Sequence, residues 1–147
     1  MSARPDEKVR QPRLYLDTSA YLTLLVRDPG WERLFDETAG AELLSSVLLV
    51  LETKRNLIRL AREGALAPEQ YKACMDRVDA DTNVFVLRDL TLDICASNIL
   101  PAIATPRSLD LAHLRTALWF HTLERIDRFV TMDSSQEQAA KELGLPV

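Results

Sequence analysis

Short apolar runs alternate with longer amphipathic segments along the whole chain, and this alternation restricts the possible folds more than any single motif does. "RLYL" at 13–16 reads as a strand that ends at Asp17. "AELLSS" at 41–46 is a weaker, shorter one. "NVFVLR" at 83–88 is β-branched and aromatic, and "DRFVTMD" at 127–133 repeats that character. Pro146-Val147 offers the start of a further short strand. Parallel strands need crossover connections, and a helix between each pair of strands supplies them. The expected fold is therefore α/β in three layers: a mainly parallel central sheet of four to five strands flanked by helices on both faces.

The helical segments carry their own punctuation. "AYLTLLVRD" runs as a short apolar helix to the Pro29-Gly30 turn. Trp31, Leu34 and Phe35 stand at i, i+3, i+4 in a helix closed by Gly40. Ser45 or Ser46 is expected to cap the next helix, which continues through Glu52 to about Glu63. Its first half, from Val47 to Leu51, is apolar all round and is expected to be buried. In the second half Leu57, Ile58 and Leu60 should face inward, with Lys54, Arg55, Arg59 and Arg62 between them. Pro68 opens another helix to about Asp79. "LTLDICASNIL" reads as a helix stopped by Pro101, "SLDLAHLRTALWFHTLER" as a long amphipathic one, and "SSQEQAAKELG" as the last.

A chain of 147 residues suits one compact domain, placed here at 13–147 behind a polar tail at 1–12 that contains Pro5 and Pro12. No apolar run approaches the ~20 residues of a membrane helix, and the charged start has no apolar segment behind it, so neither a membrane span nor a secretory signal is expected. Cys74 and Cys95 are far apart and read as reduced thiols, which places the protein in the cytoplasm. The net charge of −4 argues against attachment to nucleic acid by bulk positive charge. A bound divalent cation would reverse the field locally, and the same balance also suits a basic protein partner.

Four acids stand apart from the other carboxylates. Asp17 and Asp133 both sit where an expected strand gives way to a helix, the edge at which open α/β sheets bind ligands. Asp17 would serve equally as the N-cap of the following helix. At Asp133 the Ser134–Glu137 pair fits a capping box, which leaves the aspartate spare. Glu52 interrupts the apolar run, and buried glutamates are rare unless paired or metal-bound; otherwise it is a surface residue with Arg55 one turn on. Asp110 lies in a first helical turn, where the helix dipole favours an acid in any case. His113, one turn further, is within reach of it; a lone histidine of this kind is more often a packed or hydrogen-bonded residue than a metal ligand.

A parallel sheet can bring the four together. Four ionised acids at close range repel one another and raise each other's pKa unless a cation neutralises them. Oxygen-only ligation favours Mg²⁺ or Mn²⁺ over zinc. The chain has no P-loop, dinucleotide fingerprint, H-E-x-x-H or nucleophile elbow, and two histidines leave little for a serine mechanism. Phosphatase-like and receiver-like domains also gather aspartates at strand ends. The first wants D-x-D, where this chain has Ser19 second; the second wants a paired acid and a late lysine, where this chain has "TMD".

With these positions in view, the chain resembles the PIN-domain ribonucleases, especially the VapC-type toxins of toxin–antitoxin pairs. The resemblance runs from "YLDTSAYLTLL" to "FVTMDSSQEQAAKELGLPV". Asp17 in "LDTS" matches the first acid of that family, and Glu52 after the apolar run matches the second. "LDLAHLRTAL" is similar to the family's D-x-x-H-x-A-T-A segment and puts Asp110 third; Asp133 in "TMDSS" is fourth. Arg115 stands where the family usually has a small residue, and the tail before Arg13 is longer than in many members. The resemblance implies a metal-dependent endoribonuclease in which Asp17, Glu52, Asp110 and Asp133 hold Mg²⁺ or Mn²⁺. Thr18, Ser19 and Thr131 would support them, and Lys54, Arg55, Arg59 and Arg62 would guide RNA. It also implies a small antitoxin lying in an apolar groove near Tyr21, Leu25, Trp31 and Phe35, and a homodimer. A catalytically silent relative that binds RNA or a protein partner is the alternative.

Overall fold

The computed structural model describes residues 10–98, 102–104 and 107–147. Strand β1 (Arg13–Leu16) is followed by helices α1 (Thr18–Val26) and α2 (Trp31–Thr38). Strand β2 (Glu42–Ser46) leads into α3 (Leu48–Arg62) and α4 (Pro68–Asp81), and β3 (Val86–Arg88) into the short α5 (Leu92–Ala96). Helix α6 (Ser108–Leu123), strand β4 (Arg128–Val130) and helix α7 (Ser134–Glu142) complete the chain. The strands form one sheet in the order β3-β2-β1-β4, every pair parallel.

Side-chain alternation along the buried strands divides the interior in two. Leu14 and Leu16 join Tyr21, Leu34, Leu49, Leu57 and Val78 beneath α1 to α4. Tyr15, between them in sequence, points to the other face and packs with Leu114, Phe120, Phe129 and Ala140 beneath α6 and α7. These two cores are the outer interfaces of the expected three-layer sandwich. The strand order reverses direction at β1: the chain first builds β2 and β3 on one side of it, then returns to place β4 on the other. The crevice beyond the C-terminal ends of β1 and β4 is thus the topological switch point, where ligands bind in such sheets.

Several local expectations change on folding. The first half of α3 is not buried all round. Leu51 is 69% exposed and Ile58 51%, while Leu49, Thr53 and Leu57 form the one buried stripe. The helix lies on the outside of the sandwich, packed on α1, α4 and β2, so its other faces meet solvent. Neither Ser45 nor Ser46 is the residue preceding α3. Both end β2, where the Ser45 hydroxyl donates to the Leu16 carbonyl (2.6 Å) and Ser46 Oγ accepts from the Leu48 N–H (3.2 Å). The helix expected across 90–100 is described only as Leu92–Ala96, and its stop at Pro101 lies outside the described residues, as do residues 1–9 of the polar tail. Pro146-Val147 forms no assigned strand, although the Pro146 carbonyl accepts from the Phe129 N–H at 2.7 Å along the free edge of β4.

Candidate active site

Parallel strands all end at one rim, and each candidate acid lies at that rim or one to two turns into the helix beyond it. Asp17 follows β1 directly. Its backbone is extended, and its carboxylate accepts the Ala20 N–H at 3.1 Å, so the N-cap role open to it in sequence is realised. The side chain is nonetheless only 4% exposed. Ser19 Oγ donates to Oδ1 at 2.7 Å and Thr131 Oγ1 to Oδ2 at 2.5 Å. Burial pushes the Asp17 carboxyl up from its ordinary value despite these donors. No lysine or arginine forms an ion pair with it among the described residues.

Asp133 is not the spare residue suggested by the Ser134–Glu137 pattern. It is the N-cap of α7, and its Oδ1 accepts from the N–H groups of Ser135 (2.8 Å) and Gln136 (3.3 Å). Ser134 is already helical, because only two residues, Thr131 and Met132, separate the end of β4 from the cap. Thr131 joins the two aspartates: its hydroxyl donates to Asp17, and its oxygen accepts the Asp133 N–H at 3.1 Å. Ser19 reinforces the link by accepting from the Met132 N–H at 2.9 Å.

Glu52 comes from the second turn of α3 and is only partly exposed. Thr18 Oγ1 donates to its Oε1 at 2.8 Å, and His113 Nε2 lies 2.8 Å from the same oxygen. Burial acts to raise this carboxyl, but the His113 hydrogen bond and charge, then the Thr18 hydroxyl, outweigh it and hold Glu52 below its usual range. His113 therefore meets Glu52, Thr18 and Tyr15, and none of its hydrogen bonds goes to Asp110 one turn before it. Asp110 stands in the first turn of α6 and accepts the Arg107 N–H at 3.3 Å. Its carbonyl accepts from the buried Gln136 side chain at 2.9 Å, which couples α6 to the start of α7. Arg115 turns away from this rim and donates to the carbonyls of Ile94 and Cys95 at the end of α5.

Hydrogen bonds thus tie Asp17, Asp133 and the main chain of Asp110 into one chain, and Glu52 to Thr18 beside Asp17. As placed, no three His, Cys, Asp or Glu side chains among the described residues form a cluster able to hold a metal. The donor chemistry still fits a hard cation. Among the described residues Glu52 Oε2, Asp110 Oδ1 and Asp133 Oδ2 accept no hydrogen bond, and Asp17 Oδ2 accepts one.

Gln136 is the contributor that the residue pattern did not single out, and His113, weighed there as a packed or hydrogen-bonded residue near Asp110, instead meets Glu52. The signal for His113 was its place on the inward face of α6, one turn from Asp110. Gln136 carried no signal beyond its position three residues after Asp133.

The class defined by this arrangement is a three-layer α/β domain with Asp17 and Asp133, joined through Thr131, at the switch point of a parallel sheet. No protein-family model matches the chain. Among curated proteins it is similar to Ribonuclease VapC35 of Mycobacterium tuberculosis. In each of two strains the two are 29% identical over 137 residues, covering 91% of this chain and 94% of the relative.

Proposed function

We propose that the protein is a Mg²⁺- or Mn²⁺-dependent endoribonuclease and the toxin component of a toxin–antitoxin pair. The observation that carries this is the switch point, where the buried Asp17, its carboxyl pushed up by burial, forms no ion pair with a lysine or arginine among the described residues. The near full-length similarity to Ribonuclease VapC35 supports it.

In this reading Asp17, Glu52, Asp110 and Asp133 hold the metal. When bound, the ion supplies Lewis-acid polarisation of water and of the scissile phosphodiester. The protein's own part is placement. Ser19, Thr131 and the Ala20 N–H fix the Asp17 carboxylate, and Thr131 sets Asp133 relative to it. Of the four cations on α3, Lys54 is paired with Asp79 and Arg59 with Glu63. Arg55 forms no ion pair among the described residues and is exposed one turn beyond Glu52, the best placed to meet an RNA backbone. Purified protein should cleave RNA with Mg²⁺ or Mn²⁺ and stop when EDTA is added. Activity unchanged by EDTA, or retained in both Asp17→Asn and Asp133→Asn, would reject the assignment.

The antitoxin belongs to the same proposal. A groove of about 420 Å³ runs along α1 and α2, with walls that include Leu25, Arg27, Trp31, Phe35 and Phe85. Phe35 is 59% exposed, and Arg27 stacks on Trp31 with its guanidinium 5.0 Å from the ring centroid. An apolar helix of a small partner suits such walls. The homodimer stands with it, supported by the exposed Leu92 and Leu123. No helix of the described residues is long and apolar enough to cross a membrane.

A further inference from the structure

The interior beside the site contains a buried histidine for which the proposed chemistry has no assigned use. His113 is 2% exposed, on a buried face of α6 that it shares with Leu114, Thr116, Ala117 and Phe120. Its Nδ1 lies 2.8 Å from the Tyr15 hydroxyl, and its Nε2 lies 2.8 Å from Glu52 Oε1 and 3.1 Å from Thr18 Oγ1. Tyr15 is itself fully buried and rigidly seated. Its ring stacks on Phe129 at 5.4 Å with planes 7° apart, and meets the His113 ring edge-on at 5.9 Å. The contacts form a line from the sheet core through the imidazole to the carboxylate.

We propose that His113 is a positioning residue which, together with Thr18, holds Glu52 by a single oxygen and leaves its other oxygen open as a ligand. The inference rests on the nuclease assignment above. A carboxylate oxygen only accepts, so a ring proton sits on Nε2 and points at Oε1, while Nδ1 meets the Tyr15 hydroxyl. A merely packed histidine needs both nitrogens satisfied and nothing more. Here a second donor, Thr18 from another helix, converges on the same oxygen at 2.8 Å. Two donors on Oε1 leave it little capacity for a cation, while Oε2 has no donor among the described residues. Glu52 reaches the rim on a long side chain with three rotatable bonds, and this clamp removes that freedom before any ligand arrives.

The test is Mn²⁺ binding by calorimetry, with thermal unfolding in parallel, on the wild type, Glu52→Gln, His113→Phe, His113→Gln and Thr18→Val. His113→Phe should weaken Mn²⁺ binding by about 10–100-fold, as loss of such an outer partner typically does. His113→Gln, whose amide N–H can still reach Oε1, should recover most of that loss even if its melting temperature stays low. Thr18→Val should weaken binding by less than His113→Phe and supplies the test if the buried phenylalanine prevents folding. The positioning role is overturned if folded His113→Phe binds Mn²⁺ within about twofold of the wild type, or if the glutamine variant is no better than the phenylalanine. A wild type that binds no Mn²⁺, or a Glu52→Gln that binds it unchanged, overturns the metal assignment itself and this inference with it.

Discussion

The two rims of the same sheet treat their acids in opposite ways. At the N-terminal rim, Arg13 is 7% exposed, pairs with Glu42 (3.2 Å) and Glu124 (3.6 Å), and donates to the carbonyls of Glu124 and Arg125. Arg10 pairs with Asp127 at 2.9 Å, and the Arg13 N–H reaches the same carboxylate at 2.8 Å. Each of these three acids, Glu42, Glu124 and Asp127, has a guanidinium partner. At the C-terminal rim Asp17, Glu52, Asp110 and Asp133 have hydroxyls, backbone N–H groups and one histidine, but no lysine or arginine partner among the described residues. Cations were available to this sequence, since α3 carries four of them within about three turns of Glu52. None of them forms an ion pair with these acids among the described residues, although Arg55 helps to lower the Glu52 carboxyl; in the proposed function a divalent ion would supply the remaining positive charge.

The contrast is sharpest in activity. Asp17→Asn and Asp133→Asn should each lower metal-dependent RNA cleavage by at least about 100-fold, since a lost carboxylate ligand forfeits several kcal/mol of charge stabilisation. Both should keep native circular dichroism, because asparagine caps helices as well as aspartate does. Substitution at the opposite rim should reverse the pattern. Arg13→Ala should leave cleavage by the folded fraction unchanged and cost about 1–2 kcal/mol of stability in urea unfolding. The loss comes from its hydrogen bonds and buried stem and is limited by the exposure of Glu42 and Glu124. Lost cleavage in Arg13→Ala at full stability would erase the distinction.

The smallest effect is in pH dependence, and its sign differs between Asp127 at one rim and Asp17 at the other. The Arg13 N–H, then Arg10, holds the Asp127 carboxyl below its ordinary value of 3.8. A lowered folded pKa contributes stability above the unfolded value and loses it as pH falls through the folded one. Asp127→Asn should therefore flatten the acid limb of the stability curve below about pH 4, by a few tenths of a kcal/mol given its exposure. Asp17 runs the other way. A raised folded pKa contributes stability that is full below 3.8 and declines as pH rises through the folded value. Without metal, Asp17 should thus weaken the fold near neutral pH. A wild-type acid limb no steeper than that of Asp127→Asn would remove the N-terminal half of this contrast.

How much of this was legible in the chain follows from what each signal measures. Strand–helix alternation reports burial on both faces, so the parallel sheet and its two helix layers could be read from it. The weak "AELLSS" strand holds because two buried serines find partners at the Leu16 carbonyl and the Leu48 N–H, which alternation of apolar residues cannot register. Apolar content misled at α3, where Leu51 and Ile58 face solvent, because composition does not reveal that a helix is covered on one side only. The positions of Asp17 and Asp133 could be read from where strands end, whereas Glu52 and Asp110, inside helices, were picked out by an interrupted apolar run and by the family resemblance. The role of Asp133 as a cap could not, because it depends on how short the turn after Val130 is. The link of His113 to Glu52 was also hidden, since it spans 61 residues and joins side chains of α3 and α6, which nothing in the local sequence pairs.

Thermal unfolding of the wild type and Asp17→Asn, each in EDTA and in saturating Mn²⁺ at neutral pH, probes the charge deficit at the C-terminal rim most directly. In EDTA, Asp17→Asn should melt above the wild type, because it removes a buried, uncompensated carboxylate. Mn²⁺ should then raise the wild-type midpoint by several degrees and leave the variant nearly unmoved. A variant that melts below the wild type in EDTA, with Mn²⁺ shifting neither protein, would mean that the rim is already balanced and that no cation belongs there.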